Sequence, residues 1–416
     1  MKIVIVGGGF AGLHLARHLA KKNLFEVTLV DKNNYHLFSP LLYQVSTAFI
    51  EASNISYPFR RLFQSKENFR FHMGELKNIV TAENKIETSA GDLYYDNLVL
   101  AMGTQTNYFG LENIKQHALP VKTLDDAINL RNHLLLNTEK AVRATSELCR
   151  QKVSNIVISG GGPTGVEISG MLAEMSQSIM KKDYPELKNM EGNIYLINSG
   201  KALLGTMSAK SQKSAYKVLR RLGVHVKLNT AVKDYTEGAV LLSTGEIIPS
   251  ATLIWASGIL ANEAPGLPEL CVSRGRRIIV DEYNRVKGIR NVFAIGDQCI
   301  QTTDAKYPNG HPQLAQVAIQ QGIRLARNVE RLQSGKKLIA FKYKNKGNMA
   351  IISKYEAVVD LPKSFLKGFP AWFVWLFVHI MPIVGFGNKA KLAINWLWSF
   401  FTNDPTLRLI IRPRNP

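Results

Sequence analysis

Six glycines, set in two places of a 416-residue chain, have the spacing of a phosphate cradle. Gly7, Gly9 and Gly12 stand in GGGFAG after the apolar run KIVIV, and Gly160, Gly162 and Gly165 stand in GGGPTG after the run Asn155 to Ser159. In this pattern the first glycine permits a tight turn and the second lets a pyrophosphate approach the backbone. The third lets helix and strand pack closely, so the phosphates meet the positive end of a helix. One such triplet is equally an ordinary glycine-rich turn. Its repetition about 150 residues later, in the same strand and helix context, points to two bound dinucleotides. In an oxidoreductase the natural pair is a flavin, which holds electrons, and a nicotinamide, which delivers a hydride.

Acids and amides near these turns are the next candidates. Val27 to Val30 reads as a strand ending in Asp31, where a carboxylate accepts ribose hydroxyls. The corresponding strand of the second unit, Ile194 to Ile197, comes late, after the polar stretch KKDYPELKNMEGN, and ends in Asn198 with Lys201 close behind. An amide there can still bond a ribose hydroxyl but does not repel a 2'-phosphate, so NADPH is expected to be tolerated beside NADH. Glu167, on the helix after the second turn, either points at a flavin or nicotinamide or is a helix-start carboxylate favoured by the dipole. NVFAIGD, at 291–297, is a buried strand whose Asp297 suits a hydroxyl of a ribityl chain. Gln316 and Gln320 lie four apart on one helix face, where they could bond quinone carbonyls or a flavin rim, or simply face solvent.

The elements that must position these residues are legible as alternating strands and helices. Short strands run from Phe69 to Leu100 and from His225 to Ile259, and the segment from Pro120 to Glu147 reads as helical. LVLAMGTQTN, with Gly103, is echoed by LIWASGILAN, with Gly258, and each returns the chain from a buried strand toward a nucleotide. The segment after Asp31, with Tyr35, His36, Phe38, Leu41 and Tyr43, is too irregular for a clean helix; it suits either the face of a flat ring or ordinary core. The length accommodates two or three domains, and the formal charge of +20 points to an anionic partner. Cys149, Cys271 and Cys299 form no C-x-x-C pair and no metal-ligand spacing, which argues against a disulfide framework, a zinc site or a dithiol redox centre and for reduced thiols. With the first strand beginning at Lys2, no leader peptide is expected ahead of the glycine turn.

The two glycine turns, the two echoed strands and NVFAIGD together resemble the two-dinucleotide-domain flavoproteins that include glutathione reductase. The disulfide-reducing members carry a cysteine pair after the first nucleotide strand, whereas Ser39 to Ser53 holds none. The finer resemblance is to the type II NADH dehydrogenases, single-chain NADH:quinone oxidoreductases. It rests on GGGFAG, VDKNNYHLFSPLLYQVST, GGGPTGVEISG with its late strand, and LAQVAIQQG at Leu314 to Gly322. In that family an A-Q-x-A-x-Q-x-G segment lines the quinone pocket beside the flavin. The resemblance therefore implies this part for Ala315, Gln316, Ala318, Gln320 and Gly322, and a functional part for Glu167. A sulfide:quinone oxidoreductase and an NADH-responsive interaction protein resembling apoptosis-inducing factor are the rival readings.

The last eighty residues change character, with Trp372, Trp375, Trp396 and Trp398 among them. Between Pro370 and Pro382 an apolar helix spans roughly 16 Å, against about 30 Å of hydrocarbon, which argues against crossing a membrane. A second helix carries Asn388, Lys391, Asn395 and Ser399 as a polar stripe and Leu392, Trp396, Leu397, Phe400 and Phe401 elsewhere. With Lys363, Lys367, Lys389, Arg408 and Arg412 nearby, it suits the headgroup region of an anionic leaflet. The alternative for the pair is a core or dimer interface.

The expected fold is α/β: two Rossmann-like dinucleotide-binding domains, glutathione-reductase-like, plus a C-terminal amphipathic membrane-binding region. Residues 1–115 and 285–335 form the FAD domain, 116–284 the NAD(P)H domain and 336–416 the anchor. The expected cofactors are FAD and NADH. The expected partners are a membrane quinone (menaquinone or ubiquinone), an anionic membrane surface and a second copy in a homodimer, with no nucleic acid and no metal. The expected place is the cytoplasmic face of the cell membrane, peripherally bound.

Overall fold

The computed structural model describes all residues except 178–180, 188–191, 237, 403–407 and 412–416, and also leaves aside the side chains at 181 and 399–402. Part of the polar stretch before Ile194, and Ser399, Phe400, Phe401 and Arg412 of the tail, thus lie outside the described residues. The chain divides into two compact units: Met1–Leu37, Ser56–Gln105 and Ile259–Asn345 make the first, and Phe38–Ile55, Thr106–Gly258 and Lys346–Pro416 the second.

The first unit is built on a five-stranded parallel sheet. Its strands lie in the order Val292–Ala294, Asn97–Leu100, Lys2–Val6, Glu26–Asp31, Phe69–Met73. The central strand KIVIV is buried from Ile3 onward, because layers on both sheet faces remove the alternation expected of a half-exposed strand. Val6 pairs with both Val30 and Leu100, so three strand ends converge at the glycine turn. Helix Phe10–Leu19 leaves that turn and is crossed by helix Ala315–Gln333. The crossing is close because position 322 lacks a side chain: a Cβ on Gly322 would lie 2.4 Å from the Ala11 carbonyl oxygen.

The second unit repeats the plan, with strands in the order Leu119–Pro120, Thr252–Trp255, Ile156–Ser159, Ile194–Ile197, His225–Lys227, all parallel. The long helix starts at Leu124, later than the sequence pattern suggests. Leu119–Pro120 is drawn into the sheet edge, and Thr123 with Asp126 forms a capping box that fixes the start. Residues 38–55 and the tail pack into this unit rather than forming part of the first domain and a separate region. A physical reason lies on helix Pro163–Met175. A Cβ on Gly170 would stand 1.5 Å from the Ile352 carbonyl, so only glycine lets strand Asn348–Ser353 lie against this helix. Glu174 adds a bond from the Lys354 amide at 2.9 Å.

The tail comprises helices Phe369–Ile380 and Phe386–Thr402. No helix among the described residues is long and apolar enough to cross a membrane. Trp375 and Leu392 are fully buried, while Phe369, Phe373, Phe377 and Met381 form an exposed ridge at every fourth residue. The second helix splits its apolar side. Leu392 and Trp396 turn inward, and Ile394, Leu397 and Trp398 stay exposed. Asn388 of the expected polar stripe donates to the Ser53 carbonyl at 3.0 Å instead of facing only water.

Candidate active site

The two glycine turns superpose in kind, bond for bond. Gly7 donates to the Val30 carbonyl at 2.8 Å and Gly160 to the Ile197 carbonyl at 2.8 Å. Both have positive φ, +105° and +116°, a conformation side chains resist. A Cβ on Gly12 would meet the Gly7 oxygen at 1.9 Å, and one on Gly165 the Gly160 oxygen at 1.8 Å. Gly9 and Gly162, in contrast, have nothing within 4 Å of where a Cβ would stand. Each of these two glycines caps its helix, with no side-chain cap and no acid in the first turn. Amides of the first helical turn have no intrahelical acceptor, so each turn is a ready anion site with open space over its middle glycine. That combination fits a dinucleotide pyrophosphate at both turns.

At the first turn, Asp31 accepts the Gly8 amide at 2.7 Å through Oδ2 and the Asn33 amide at 2.8 Å through Oδ1. Burial raises its pKa, and the two amides pull the other way. His36, buried under Phe10, donates from Nδ1 to the Gly8 carbonyl at 2.9 Å. Burial pushes its pKa down to about 4, so it is neutral and braces the turn. At the second turn Asn198 takes the place of Asp31: its Oδ1 accepts the Gly161 amide at 3.1 Å. Its Nδ2 donates to the Gly200 carbonyl at 3.1 Å and the Ala202 carbonyl at 3.0 Å. The amide is therefore the knot of its own loop. Its donors are already satisfied, and what remains for a ribose hydroxyl is acceptor capacity on Oδ1.

Elsewhere in the first unit, Gly103 and the Asp297 segment are tied together. The Asn262 amide donates to the Gly103 carbonyl, the Met102 amide to Gln298 Oε1, and Gln298 Nε2 to the Asn262 carbonyl. Gly296 donates to Gln321 Oε1 at 2.7 Å, and Gln313 holds the Asp297 carbonyl at 2.9 Å. Of the glutamines on helix Ala315–Gln333, Gln316 is half-buried near its start. Gln320 is bound at both ends of its amide to the Lys344 backbone, at 3.0 and 3.1 Å. Gln321, which the spacing argument passes over, is the buried one. Only its place one residue past the i, i+4 pair, on the face with Ala318 and Gly322, could have marked it.

In the second unit, Gly258 has φ +74° and its carbonyl accepts the Asn107 amide. Glu167 lies inside, not on a solvated helix start. It is buried and accepts the Ile351 amide, and burial lifts its carboxyl well above the usual range despite that bond. Tyr43, on the short helix Leu42–Ser46, is buried as well, and burial together with the charge of Glu167 raises its phenol well above the usual range. Around the tail, His379 stacks on Trp375 with centroids 4.0 Å apart, and burial lowers its pKa to about 4. Of the thiols, Cys271 and Cys299 are buried, with burial pushing Cys299 up to about 11, and Cys149 is alone at the surface.

Comparison with known proteins bears on this arrangement directly. The pyridine nucleotide-disulphide oxidoreductase family matches residues 1–322. A type II NADH:quinone oxidoreductase, NdhA of Mycobacterium tuberculosis, is 32% identical over 96% of this chain and 87% of its own. An internal alternative NAD(P)H-ubiquinone oxidoreductase A1 of Solanum tuberosum mitochondria is 30% identical over 95% and 86%. The fold matches that of NDH2 from Plasmodium falciparum, solved in complex with NADH, with TM-score 0.90 over 99% of both chains at 22% identity. The chain belongs to the pyridine nucleotide-disulphide oxidoreductase family and, within it, to the type II NADH:quinone oxidoreductases.

Proposed function

We propose that this chain oxidises NADH and reduces a membrane quinone through FAD held at the first glycine turn, without pumping protons. The observation that carries this reading is the pair of open, uncapped glycine turns in one chain. Bound FAD would supply the redox chemistry, accepting a hydride and releasing two electrons, and the protein sets distance and orientation. Gly7, Gly9, Gly12, Asp31, Gly103 and Asp297 are the residues assigned to FAD. Gly160, Gly162, Gly165, Asn198 and Gly258 are assigned to the nicotinamide dinucleotide, with NADPH tolerated because position 198 carries no charge. Gln316 is assigned to the quinone pocket, where its amide can bond a carbonyl. Gln320 serves the same wall by fixing the Lys344 backbone. Glu167 is assigned a catalytic part as a buried acid, able to hold a proton.

The chain binds the membrane peripherally, on the cytoplasmic face and as a homodimer. The support for membrane contact is the exposed row Phe369, Phe373, Phe377 and Met381 with Ile394, Leu397 and Trp398, since soluble surfaces rarely gather so much apolar area. Lys363 and Lys367, both exposed, suit anionic headgroups. Sulfide oxidation is disfavoured because Cys271 and Cys299 are buried thiols whose pKa burial raises.

The test uses the full chain purified in detergent. A flavin spectrum should bleach on adding NADH and recover on adding quinone, and the detergent-corrected mass should equal two chains. Bleaching without recovery would remove the quinone assignment and leave the dinucleotide sites standing.

A further inference from the structure

Within the second unit, the loop beside the second glycine turn is held at both ends, and its far end is held by the tail. This loop runs from Ser199 to Met207, between strand Ile194–Ile197 and helix Ala209–Arg221. At its start Asn198 binds the Gly161 amide and two loop carbonyls. In its middle the Leu204 amide donates to the Gly161 carbonyl at 2.8 Å, and the Met207 amide to the Leu204 carbonyl at 2.8 Å. Leu204 does this at φ +50°, a conformation that a leucine keeps only where its surroundings hold it.

At the far end stands Asp360, on strand Glu356–Asp360. Its Oδ2 accepts the Ser208 amide at 2.7 Å, and its Oδ1 accepts the hydroxyls of Ser208 at 2.7 Å and Ser211 at 2.8 Å. Ser208 already caps the helix, with its Oγ accepting the Ser211 amide at 3.2 Å, so a helix start of this kind needs no further acid. What the three bonds fix is where the cap, and with it the end of the loop, must lie. Asp360 falls beyond residues 1–322, the part of the chain that the family shares.

We propose that Asp360 is a positioning residue for the adenosine half of the nicotinamide dinucleotide, holding the loop Ser199–Met207 against the second glycine turn. The residue that ends the second strand of such a unit meets the adenosine ribose, so the loop that follows borders that half of the ligand. The link from Asp360 through Ser208, Met207 and Leu204 to Gly161 is made of bonds and chain alone. It rests on the assignment of this turn to the nicotinamide dinucleotide.

The test uses the FAD-loaded full chain in detergent, with ADP-ribose binding followed by calorimetry and flavin bleaching followed with two hydride donors. NADH carries the adenosine half, and reduced nicotinamide mononucleotide lacks it. Asp360→Ala should weaken ADP-ribose about tenfold, the worth of one hydrogen bond to a charged group. The NADH concentration for half-maximal bleaching rate should rise by the same factor, while the rate at saturating NADH and the response to the mononucleotide stay as they were. Ser211→Ala removes one of the three bonds and should act in the same direction by less. Glu356→Gln weakens the pairing of the same strand with Arg221, at the other end of the same helix, and should leave ADP-ribose binding unchanged.

Unchanged ADP-ribose affinity in Asp360→Ala and Ser211→Ala would overturn the proposal. So would an equal loss with the mononucleotide or in Glu356→Gln, since either would assign Asp360 to folding in general. Should Asp360→Ala fail to fold, Ser211→Ala decides alone. If Gly162→Ala leaves ADP-ribose bound at full strength, the dinucleotide does not lie at this turn; if it weakens binding while Asp360→Ala and Ser211→Ala do not, only the hold from the tail fails.

Discussion

At the first glycine turn the Gly8 amide is held by the carboxylate of Asp31 and the Gly8 carbonyl by His36. At the second, the Gly161 amide is held by the amide of Asn198 and the Gly161 carbonyl by the Leu204 backbone. The backbones are alike, so the glycine spacing decides where a dinucleotide can lie. The closing side chains differ, and they decide what each turn is sensitive to. The first is closed by titratable groups and by a residue that faces it from outside the strand-turn-helix. The second is closed by neutral groups within its own loop.

The largest effect should come from filling the third glycine of each turn. Gly12→Ala and Gly165→Ala both drive a Cβ into a backbone oxygen under 2 Å away, in the turn that positions the helix. Each should cost about 3 kcal/mol or more of stability if the turn does not give way. The consequences should separate by unit. Gly12→Ala is expected to yield protein without flavin absorbance, and Gly165→Ala a flavoprotein that NADH no longer bleaches. If Gly165→Ala instead shed its flavin, the assignment of the two turns to different nucleotides would be wrong.

Acid should then distinguish the turns through His36. Burial depresses the folded-state pKa to about 4, against an unfolded value of 6.5, and the nearby Arg17 charge acts in the same direction. The neutral form is the one that fits, so the stability it confers is complete above pH 6.5. It drains away as pH falls from there toward 4, because the unfolded chain takes up the proton first. By pH 5 the loss is about 2 kcal/mol from this residue. Urea unfolding across that range, with free flavin fluorescence as the probe, should show it. A His36→Asn variant should give a flatter profile, and an unaltered slope would assign the acid sensitivity to His14 or His379, whose burial lowers them similarly.

Much of the nucleotide framework can be read from the sequence because it is local. The close approach of Gly12 to the Gly7 oxygen and of Gly165 to the Gly160 oxygen is set within one turn and the helix start after it, and Asp31 ends the strand Glu26–Asp31 whose apolar run marks it. What escapes is carried by contacts distant in the chain. Met102 meets Gln298 across 196 residues, and no period or spacing links them. Strand Asn348–Ser353 finds its seat on helix Pro163–Met175 through the missing side chain of Gly170, a feature indistinguishable in sequence from a poor helix residue. Gln320 matches a motif by spacing, and the structure adds that its amide is bound to the Lys344 backbone. Asn198 is a related case: its type points toward cofactor choice, while its bonds show that it also holds a loop.

That double duty predicts a smaller effect. Asn198→Asp should not simply create an NADH-specific enzyme. The new carboxylate would face the Gly200 and Ala202 carbonyls in place of two donated bonds, costing about 1 to 3 kcal/mol in stability. Thermal unfolding with and without NADH measures the loss, and wild-type rates should favour NADH over NADPH by less than about a thousandfold, or about 4 kcal/mol. A variant as stable as the wild type would mean the loop does not depend on Asn198.

The smallest structural effect, and the most informative one, belongs to the middle glycines. Gly9 and Gly162 have φ of −68° and −73°, values any residue adopts, and open space where a side chain would begin. Alanine at either position should therefore leave the apoprotein within about 0.5 kcal/mol of its original stability. If that space is where a pyrophosphate approaches the backbone, Gly9→Ala should weaken flavin retention and leave binding of NADH at the other turn intact. Gly162→Ala should raise the NADH concentration needed for half-bleaching without releasing flavin. Destabilisation of the apoprotein would show that these glycines serve the fold. Unchanged affinity in both variants would mean the phosphates approach elsewhere, and the equivalence of the two turns would then hold for the backbone alone.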